Sequence, residues 1–440
     1  MRGVFGLAMK NLSRYRRRTV ITASAVGVGL ALYIVADGLL LGLDIESERN
    51  LIWYETSSAR VVRADYWEDR EQLPLDRAIA EPERLVSRLG EAGIPATPRI
   101  VFDGELVVYE DPYPAGGSKR TKIYGIDPET DEDVFRLAEA VSAGRYLEPG
   151  ENGALMGAWL AEDLGADVGY PLTILTRTSK GYFQTIDLEI VGIVNTPNPV
   201  MNRKAVYVPY DTASLYLQME GRATEIDMSF PQTADYQERL AAARAAVAAP
   251  AGAGDGVGTG AAAEGGTGEG RRSGAELLVK GWRDIAAGYV ALSQTKAQGS
   301  GMILFLVFVI AAVGVSNTML MAVFERVREL GMMRALGMPE RAVRRLFLYE
   351  AAGIGLIGAV LGVAVGMLGV WLLTEYGIDY RWMFRTMDVG YRSAGYVRAA
   401  WNPPVIAQAF AIGVALAVGV SWITTRRILR FSIPDSLHHQ

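Results

Sequence analysis

The pattern of apolar and polar positions divides the chain into long unbroken apolar runs and intervening stretches of shorter period. Four runs stand out: Val20–Leu43, Met302–Phe324, Leu346–Leu373 and Val405–Thr424. Each approaches or exceeds the ~20 residues that a helix needs to cross a bilayer, which predicts four transmembrane helices. Ahead of the first run, Val4, Phe5, Leu7, Ala8 and Leu12 alternate with Lys10, Asn11, Arg14 and Arg16–Arg18. That is the pattern of a short amphipathic helix lying in the membrane interface. The first run continues through Asp37-Gly38-Leu39-Leu40 without a small-residue cleavage site, so it reads as a retained signal-anchor helix.

Between the first two runs the periodicity changes. Ala59–Arg63 reads as a strand, Glu81–Glu91 as a helix and Pro98–Val108 as a returning strand. Glu225–Phe230, Ala234–Ala248 and Ala275–Trp282 repeat that order. Two βαβ-like halves predict one split α+β unit of ferredoxin-like character. Lys122–Ala223 between them holds short β runs (Leu172–Arg177, Gln184–Val194, Ala205–Val208) broken by Gly and Pro, the pattern of a β-rich insertion. Pro250–Gly274 is Gly and Ala with scattered charge and has too little apolar surface to bury, so it is expected to be a mobile loop. Leu43–Tyr54 and Arg283–Gly299 are expected to form a helical stalk. The expected fold is an α-helical membrane protein with four transmembrane helices and a large α+β outer domain. Its divisions are 1–43, 44–300 (insertion about 122–223, loop 250–274) and 301–440.

Charge sets the expected orientation. Arg2, Lys10, Arg14, Arg16, Arg17 and Arg18 precede the first run. Arg326, Arg328, Arg334, Arg341, Arg344 and Arg345 lie between the second and third, and Arg426, Arg427 and Arg430 follow the fourth. Positive loops stay in the cytoplasm, so both termini are expected inside and the 44–300 domain outside. The chain has 440 residues and a net charge of −5, which argues against a nucleic-acid partner. It has no cysteine, so an exported domain must fold without disulfides. Its two histidines, His438 and His439, sit at the end of the chain, away from any His-based metal site or general base. No P-loop motif and no Ser, Cys or His catalytic constellation occurs, so neither an enzyme nor a resident cofactor or metal is expected. The acidic run Asp127–Asp133 (DPETDED) lacks the spacing of an EF-hand and reads as a solvated turn.

The chemistry-bearing candidates lie in and beside the runs. Glu325, Arg326, Arg328 and Glu329 fall on successive turns, where charges three and four residues apart pair. Gly331 leaves room for close approach, and Gly337-Met338-Pro339 stops one helix and restarts another. Met332, Met333, Leu336 and Met338 make this hairpin apolar as well as charged, which favours docking to a cytoplasmic partner over a solvated reversal. Gly358, Gly362 and Gly366 line one face of the third run, and Ala23, Gly27 and Ala31 one face of the first. Such faces pack helices within a chain or between two copies. Asp37 and Glu350 are ionisable groups within or at the edge of spans, where snorkelling or pairing competes with a gating role.

These residues carry a family resemblance. ERVRELGMMRALGM (Glu325–Met338), with SNTM before it and LFLYEAAG (Leu346–Gly353) after it, resembles the FtsX-type permease domain of ABC transporters, whose usual form is ERxREIGxxRAxG. Leu330 replaces the Ile. IYGIDPETDEDVFRL (Ile123–Leu137), GRYLEPGENGALMGAWLAEDLGADVGYPLTIL (Gly144–Leu175), LEIVGIVNTP (Leu188–Pro197) and AVYVPYDTASLYL (Ala205–Leu217) follow the order of the periplasmic module of MacB and LolC/LolE permeases. The resemblance covers nearly the whole chain. It implies a non-catalytic inner-membrane subunit that works with a homodimer of a separate cytoplasmic ATPase, which binds the ATP and Mg. It also implies a second permease copy or paralogue. Glu325, Arg326, Arg328, Glu329, Gly331, Arg334, Ala335 and Gly337 would couple to that ATPase. Gly27, Gly358, Gly362 and Gly366 would serve helix packing or dimerisation. With one four-span unit and an outer domain of this size, the chain looks most like a lipoprotein-releasing permease, with a lipoprotein cargo and a periplasmic carrier. Unfused MacB-like export, or FtsX-like signalling to a cell-wall hydrolase, are the alternatives. LolC-type permeases carry a hook for the carrier between the positions of Leu175 and Asp187. Here TRTSKGYFQT (Thr176–Thr185) is short.

Overall fold

The computed structural model describes residues 2–14, 16–108, 111–113, 117–231, 235–248, 276–324, 332, 337–379 and 395–428. Helices of eight residues or more among these are α1 (Arg2–Arg14), α2 (Arg16–Leu51), α3 (Pro82–Glu91), α4 (Tyr236–Ala248), α5 (Ala287–Phe324), α6 (Glu340–Tyr376) and α7 (Pro403–Ile428). The described residues fall into two compact units. One is drawn from Met1–Ile45, Ala291–Trp382 and Gly395–Gln440, the other from Glu46–Val290.

Three helical segments among the described residues are long and apolar enough to cross a membrane: Thr19–Thr56, Glu340–Tyr376 and Pro403–Ile423. The fourth expected run, Met302–Phe324, lies inside the 38-residue helix α5. Both α2 and α5 are longer than their apolar runs. The polar stretch after Leu43 is rich in Glu, Ser and Arg with no Pro or Gly beyond Gly42, so nothing ends α2 before Leu51. Leu30, Ile34, Ile354, Ala359, Val370 and Ala409 form the first unit's core, joined by Leu12 of the amphipathic helix α1. Outside it, Val20, Ile21, Leu32, Ile310, Leu361 and Leu368 stay exposed, Ile310 at 72%. Such a density of exposed large apolar side chains suits a lipid-facing surface rather than an aqueous one. A short ribbon, β11 (Ile378–Asp379) with β12 (Tyr396–Val397), follows α6 and had no counterpart among the sequence expectations.

The second unit is built on β1 (Ala59–Arg63), β2 (Ala96–Val108), β3 (Gly117–Ile126), β4 (Val141–Gly144), β5 (Gly153–Gly157), β6 (Pro171–Arg177), β7 (Phe183–Val194), β8 (Ala205–Pro209), β9 (Glu225–Met228) and β10 (Leu277–Gly281). Strands β10-β1-β9-β2 pair antiparallel in that order. With α3 after β1 and α4 after β9, this is the split βαβ arrangement. Leu85 and Leu89 of α3 and Leu240 and Ala243 of α4 pack on Val61, Ile226, Met228 and Val279 of the sheet. The β-rich insertion is not a detached layer. β2 continues into it, pairing with β3 from Arg99 to Val108 and with β6 near its end, and the ladder runs β2-β3-β8-β5-β7-β6 and back to β2. Closing the ring leaves β10 and β4 as the edge strands among those described. Alternation along β6 and β7 sends Leu172, Ile174, Ile186, Leu188 and Ile190 into a core with Phe102, Leu106, Ile123 and Met156.

Because Phe102 is fully buried in that core, Phe102→Ala is expected to lower the unfolding free energy by about 3–5 kcal/mol. Denaturant titration of the purified chain measures it. A loss below about 1 kcal/mol would mean that the ring is not packed around this side chain.

Candidate functional site

The membrane unit is held by backbone approach. A Cβ added at Gly362 would lie 2.7 Å from the Gly27 carbonyl oxygen, and one at Gly27 would lie 3.1 Å from that of Gly358. At Gly358 the obstacle is the Ala23 carbonyl oxygen at 2.8 Å, and at Gly366 the Ile34 side chain at 3.0 Å. The expected small-residue faces of α2 and α6 therefore meet each other within one chain. Beside this seam an apolar groove of about 460 Å³ opens, lined by Val28, Ala31, Leu32, Val35, Leu361 and Val365 among others.

Asp37 lies midway along α2 and accepts a hydrogen bond from Asn402 Nδ2 at 2.9 Å, just ahead of α7. The Ala400 amide donates to the Gly38 carbonyl at 2.8 Å alongside it. Thr374 Oγ1 lies 2.8 Å from both the Val370 and Ala399 carbonyls. Glu350, one turn into the apolar part of α6, is 1% exposed. Of the hairpin candidates, Glu325, Arg326, Arg328, Glu329, Gly331, Arg334 and Ala335 lie outside the described residues, as do the Pro250–Gly274 segment and both histidines. Around them, α5 ends at Phe324 and Met332 is half-exposed. Gly337 takes φ +89°, a left-handed conformation suited to glycine, and Pro339 caps α6 at Glu340.

The second unit contains a charge network that no sequence pattern disclosed. Arg60 on β1 donates from Nε to Asp227 Oδ1 at 2.8 Å, and its Nη1 lies 2.8 Å from Glu225 Oε2, both acids being on β9. Arg99 on β2 gives Nε and Nη2 to Asp131 Oδ1 at 2.9 and 2.7 Å, with its guanidinium 3.4 Å from the centre of the Phe135 ring. Asp131 belongs to the acidic run expected to be a solvated turn, yet it is 0% exposed. The run is a capped helical turn, Pro128–Asp131, with the Asp127 side chain accepting from the Glu129 amide, and this turn points Asp131 inward. Burial pushes the Asp131 carboxyl above its ordinary range against the pull of Arg99. Burial likewise pushes Glu225 up, to about 7, with Arg60 opposing and Asp227 reinforcing the shift.

Two observations tie this network to the start of the sheet. Ser57, between one turn of π-helix (Ile52–Thr56) that follows α2 and strand β1, takes φ 59°, ψ −176°. That region is essentially reserved for glycine and costs about 1–3 kcal/mol elsewhere. Its hydroxyl lies 2.8 Å from Asp227 Oδ1. A cavity of about 320 Å³, lined by Glu55, Arg60, Tyr66, Trp67, Lys122 and Glu225 among others, opens beside it. The Thr176–Thr185 segment makes a tight turn between β6 and β7, closed by donation from the Thr178 N–H to the Tyr182 carbonyl at 2.8 Å. It leaves Tyr182 and Phe183 exposed, at 69% and 68%.

An α+β unit with strands shared between its two halves and a second unit of long apolar helices are the frame in which the chain meets known proteins. Residues 19–249, more than half of the chain, match the family model described as MacB-like periplasmic core domain, and 301–433 match FtsX-like permease C-terminal. The chain belongs to the MacB/FtsX family of ABC-transporter permeases. It is 26% identical over 266 residues to the lipoprotein-releasing system transmembrane protein LolC of Neisseria meningitidis, a match covering 58% of each chain. It is 27% identical over 188 residues to the macrolide export ATP-binding/permease protein MacB of Pasteurella multocida, covering 42% of this chain and 25% of that one. The matched region thus spans little more than half of the LolC relative's length and a quarter of the MacB relative's. The periplasmic region of MacB from Actinobacillus actinomycetemcomitans aligns over 55% of this chain and 97% of its own at 14% identity and a TM-score of 0.34, so the assignment rests on the family models.

Gly362→Ala is expected to lower thermal stability in detergent, since overpacking costs about 1–3 kcal/mol. Gly419→Ala, with open space around it, should hold or raise it through helix propensity, worth roughly 1 kcal/mol. Equal effects would mean that the α2–α6 seam is not load-limiting. Arg99→Ala, which strands Asp131 in the interior, should cost about 3–5 kcal/mol in denaturant unfolding. The double replacement Arg99→Met with Asp131→Leu should recover most of that.

Proposed function

We propose that this chain is the membrane subunit of a transporter that extracts lipoproteins from the inner membrane, powered by a separate cytoplasmic ATPase. The observation that carries the reading is the LolC match, which extends over 58% of both chains, whereas the MacB match takes in a quarter of a protein that includes its own ATP-binding part. Pulling an acyl chain out of lipid costs about 0.8 kcal/mol per CH2, a total of many kcal/mol that thermal motion alone does not supply. An ATPase pressing on the Glu325–Gly337 hairpin would shift α5 and α6. A second copy or paralogue of the permease would complete the complex, and ATP with Mg would be held by the ATPase. Positive-inside bias supports cytoplasmic termini and a periplasmic 46–290 unit. The exposed apolar faces of α2, α5 and α6 support lateral entry of an acylated cargo from the lipid. The tight β6–β7 turn, which has no extended hook, argues against recruitment of a periplasmic carrier by this chain itself. MacB-like export is the second reading, favoured by the match of residues 19–249 to the MacB-like core.

The absence of native cysteine makes the topology directly testable. A Met333→Cys chain is expected to react with a membrane-impermeant maleimide only after the cytoplasmic side is opened; labelling in intact cells would overturn the orientation. Glu329→Lys and Gly331→Trp should each cut co-purification of the partner ATPase by about tenfold, a loss of roughly 1.4 kcal/mol. Depletion of the chain should leave lipoproteins in the inner membrane. Normal lipoprotein delivery accompanied by drug sensitivity would favour the export reading instead.

A further inference from the structure

We infer that the second unit binds a file of internal waters on one face of its sheet, running inward from the cavity beside Arg60 to the hydroxyls of Tyr207 and Tyr146.

Strand register places the groups that would hold it on a single face. Arg60 is opposite Asp227 on the neighbouring strand, Arg99 is opposite Glu225, and Tyr124 is opposite both Val101 and Tyr207. Side chains opposite one another across a ladder share a face, and alternation brings every second residue of a strand back to it. Arg99 therefore shares its face with Val101, and Glu225 shares its face with Asp227. The contacts agree. The Tyr124 and Tyr207 rings stack with centres 5.4 Å apart, and the Arg99 guanidinium carbon lies 5.9 Å from the centre of the Tyr124 ring. Asp131 is held on Arg99, and Tyr146 packs into the same core as Tyr124 and Tyr207.

Hydrogen bonding on this face is incomplete within the protein. Among the described residues, eight buried side-chain nitrogen or oxygen atoms have no hydrogen-bond partner. Six of the eight are here: Arg99 Nη1, Asp131 Oδ2, Tyr146 Oη, Tyr207 Oη, Glu225 Oε1 and Asp227 Oδ2. Few buried polar atoms in native proteins go without a partner, so six on one face call for a shared one.

The chemistry of the set selects water. It comprises a guanidinium donor, three carboxylate acceptors and two hydroxyls that can do both. Burial holds the Tyr146 and Tyr207 hydroxyls above their ordinary range, so both stay neutral and able to donate. An ion of either sign would meet a like charge among these groups. Water donates and accepts, and makes about three hydrogen bonds in such sites. Room is present at one end. The cavity of about 320 Å³ lined by Arg60, Tyr124 and Glu225 opens on this face, well above the roughly 10–15 Å³ that one water needs. Water placed there links the two halves of the unit. Arg99, Glu225 and Asp227 stand on strands of the ferredoxin-like half, whereas Tyr207 on β8 and Tyr146 after β4 belong to the insertion. The layer adds to the direct Arg99–Asp131 pair.

Radiolytic footprinting with mass spectrometry on the full chain in nanodiscs tests this without cargo or ATPase, so its outcome is separate from that of the transport reading. Hydroxyl radicals form within bound water and oxidise the side chains it touches. Tyr207 is 1% exposed and Tyr113 2%, but the Tyr113 hydroxyl donates directly to the Pro171 carbonyl at 2.7 Å. Tyr207 should therefore be oxidised about tenfold faster than Tyr113 despite similar burial, and a bulk radical scavenger should not suppress it. Arg99→Met with Asp131→Leu removes two of the groups that hold the water and should bring Tyr207 down towards the Tyr113 rate. Equal rates in the unaltered chain would overturn the inference. So would suppression by the scavenger, which would mean that Tyr207 is reached by opening of the sheet, or undiminished oxidation in a folded double variant. If the double variant fails to fold, the two measurements on the unaltered chain decide alone.

Discussion

Two backbones that almost touch, at Gly27 on α2 and Gly358 and Gly362 on α6, set the terms for the membrane unit. In lipid the hydrophobic effect does not press helices together, because the surroundings are as apolar as the side chains, so association depends on dispersion at short range and on polar contacts. Dispersion falls away within an ångström of optimal separation, and only residues without a Cβ permit that separation here. The polar contacts cluster elsewhere, at Asp37–Asn402 and Thr374–Ala399, and bind the segment before α7 to the same seam.

The second unit is built by opposite means. Its ferredoxin-like half is stabilised by helices α3 and α4 on one sheet face, and its ring by the apolar core inside it. Strand β2 belongs to both, so neither half folds around a private sheet. Against these apolar cores, the buried Arg99 and the part-buried Arg60 are costly. Replacing a buried ion pair with packed hydrophobic residues often leaves stability unchanged or improved, so their presence is better explained by specificity or switching than by strength.

Much of this was legible along the chain because local chemistry decided it. The strand Ala59–Arg63, the helix ending at Glu91, and the strands near Pro98–Val108 and Gln184–Val194 follow their hydrophobic periods and turn residues, and the observed bounds differ by a residue or two. The ferredoxin-like order was foreshadowed by two βαβ halves. The glycine faces were visible at four-residue spacing, and the family motifs were explicit in ERVRELGMMRALGM. Asp131 was misread for an instructive reason. An acidic run has the composition of a solvated turn, and only the Arg99 guanidinium, 32 positions earlier on a strand flanked by apolar residues, makes one of its carboxylates an interior group.

By itself the sequence determined what depends on composition and short-range pattern: which segments are apolar enough for lipid, which alternate as strands, and which family motifs they carry. The tertiary structure alone decided which groups far apart in the chain share a small volume. It joined β6 back to β2, set Gly27 against Gly362, and brought Ser57 to within hydrogen-bond reach of Asp227 across 170 positions. The physical reason is range. Propensity and periodicity act over a few residues, whereas charge balance, strain and close packing are properties of neighbours in space.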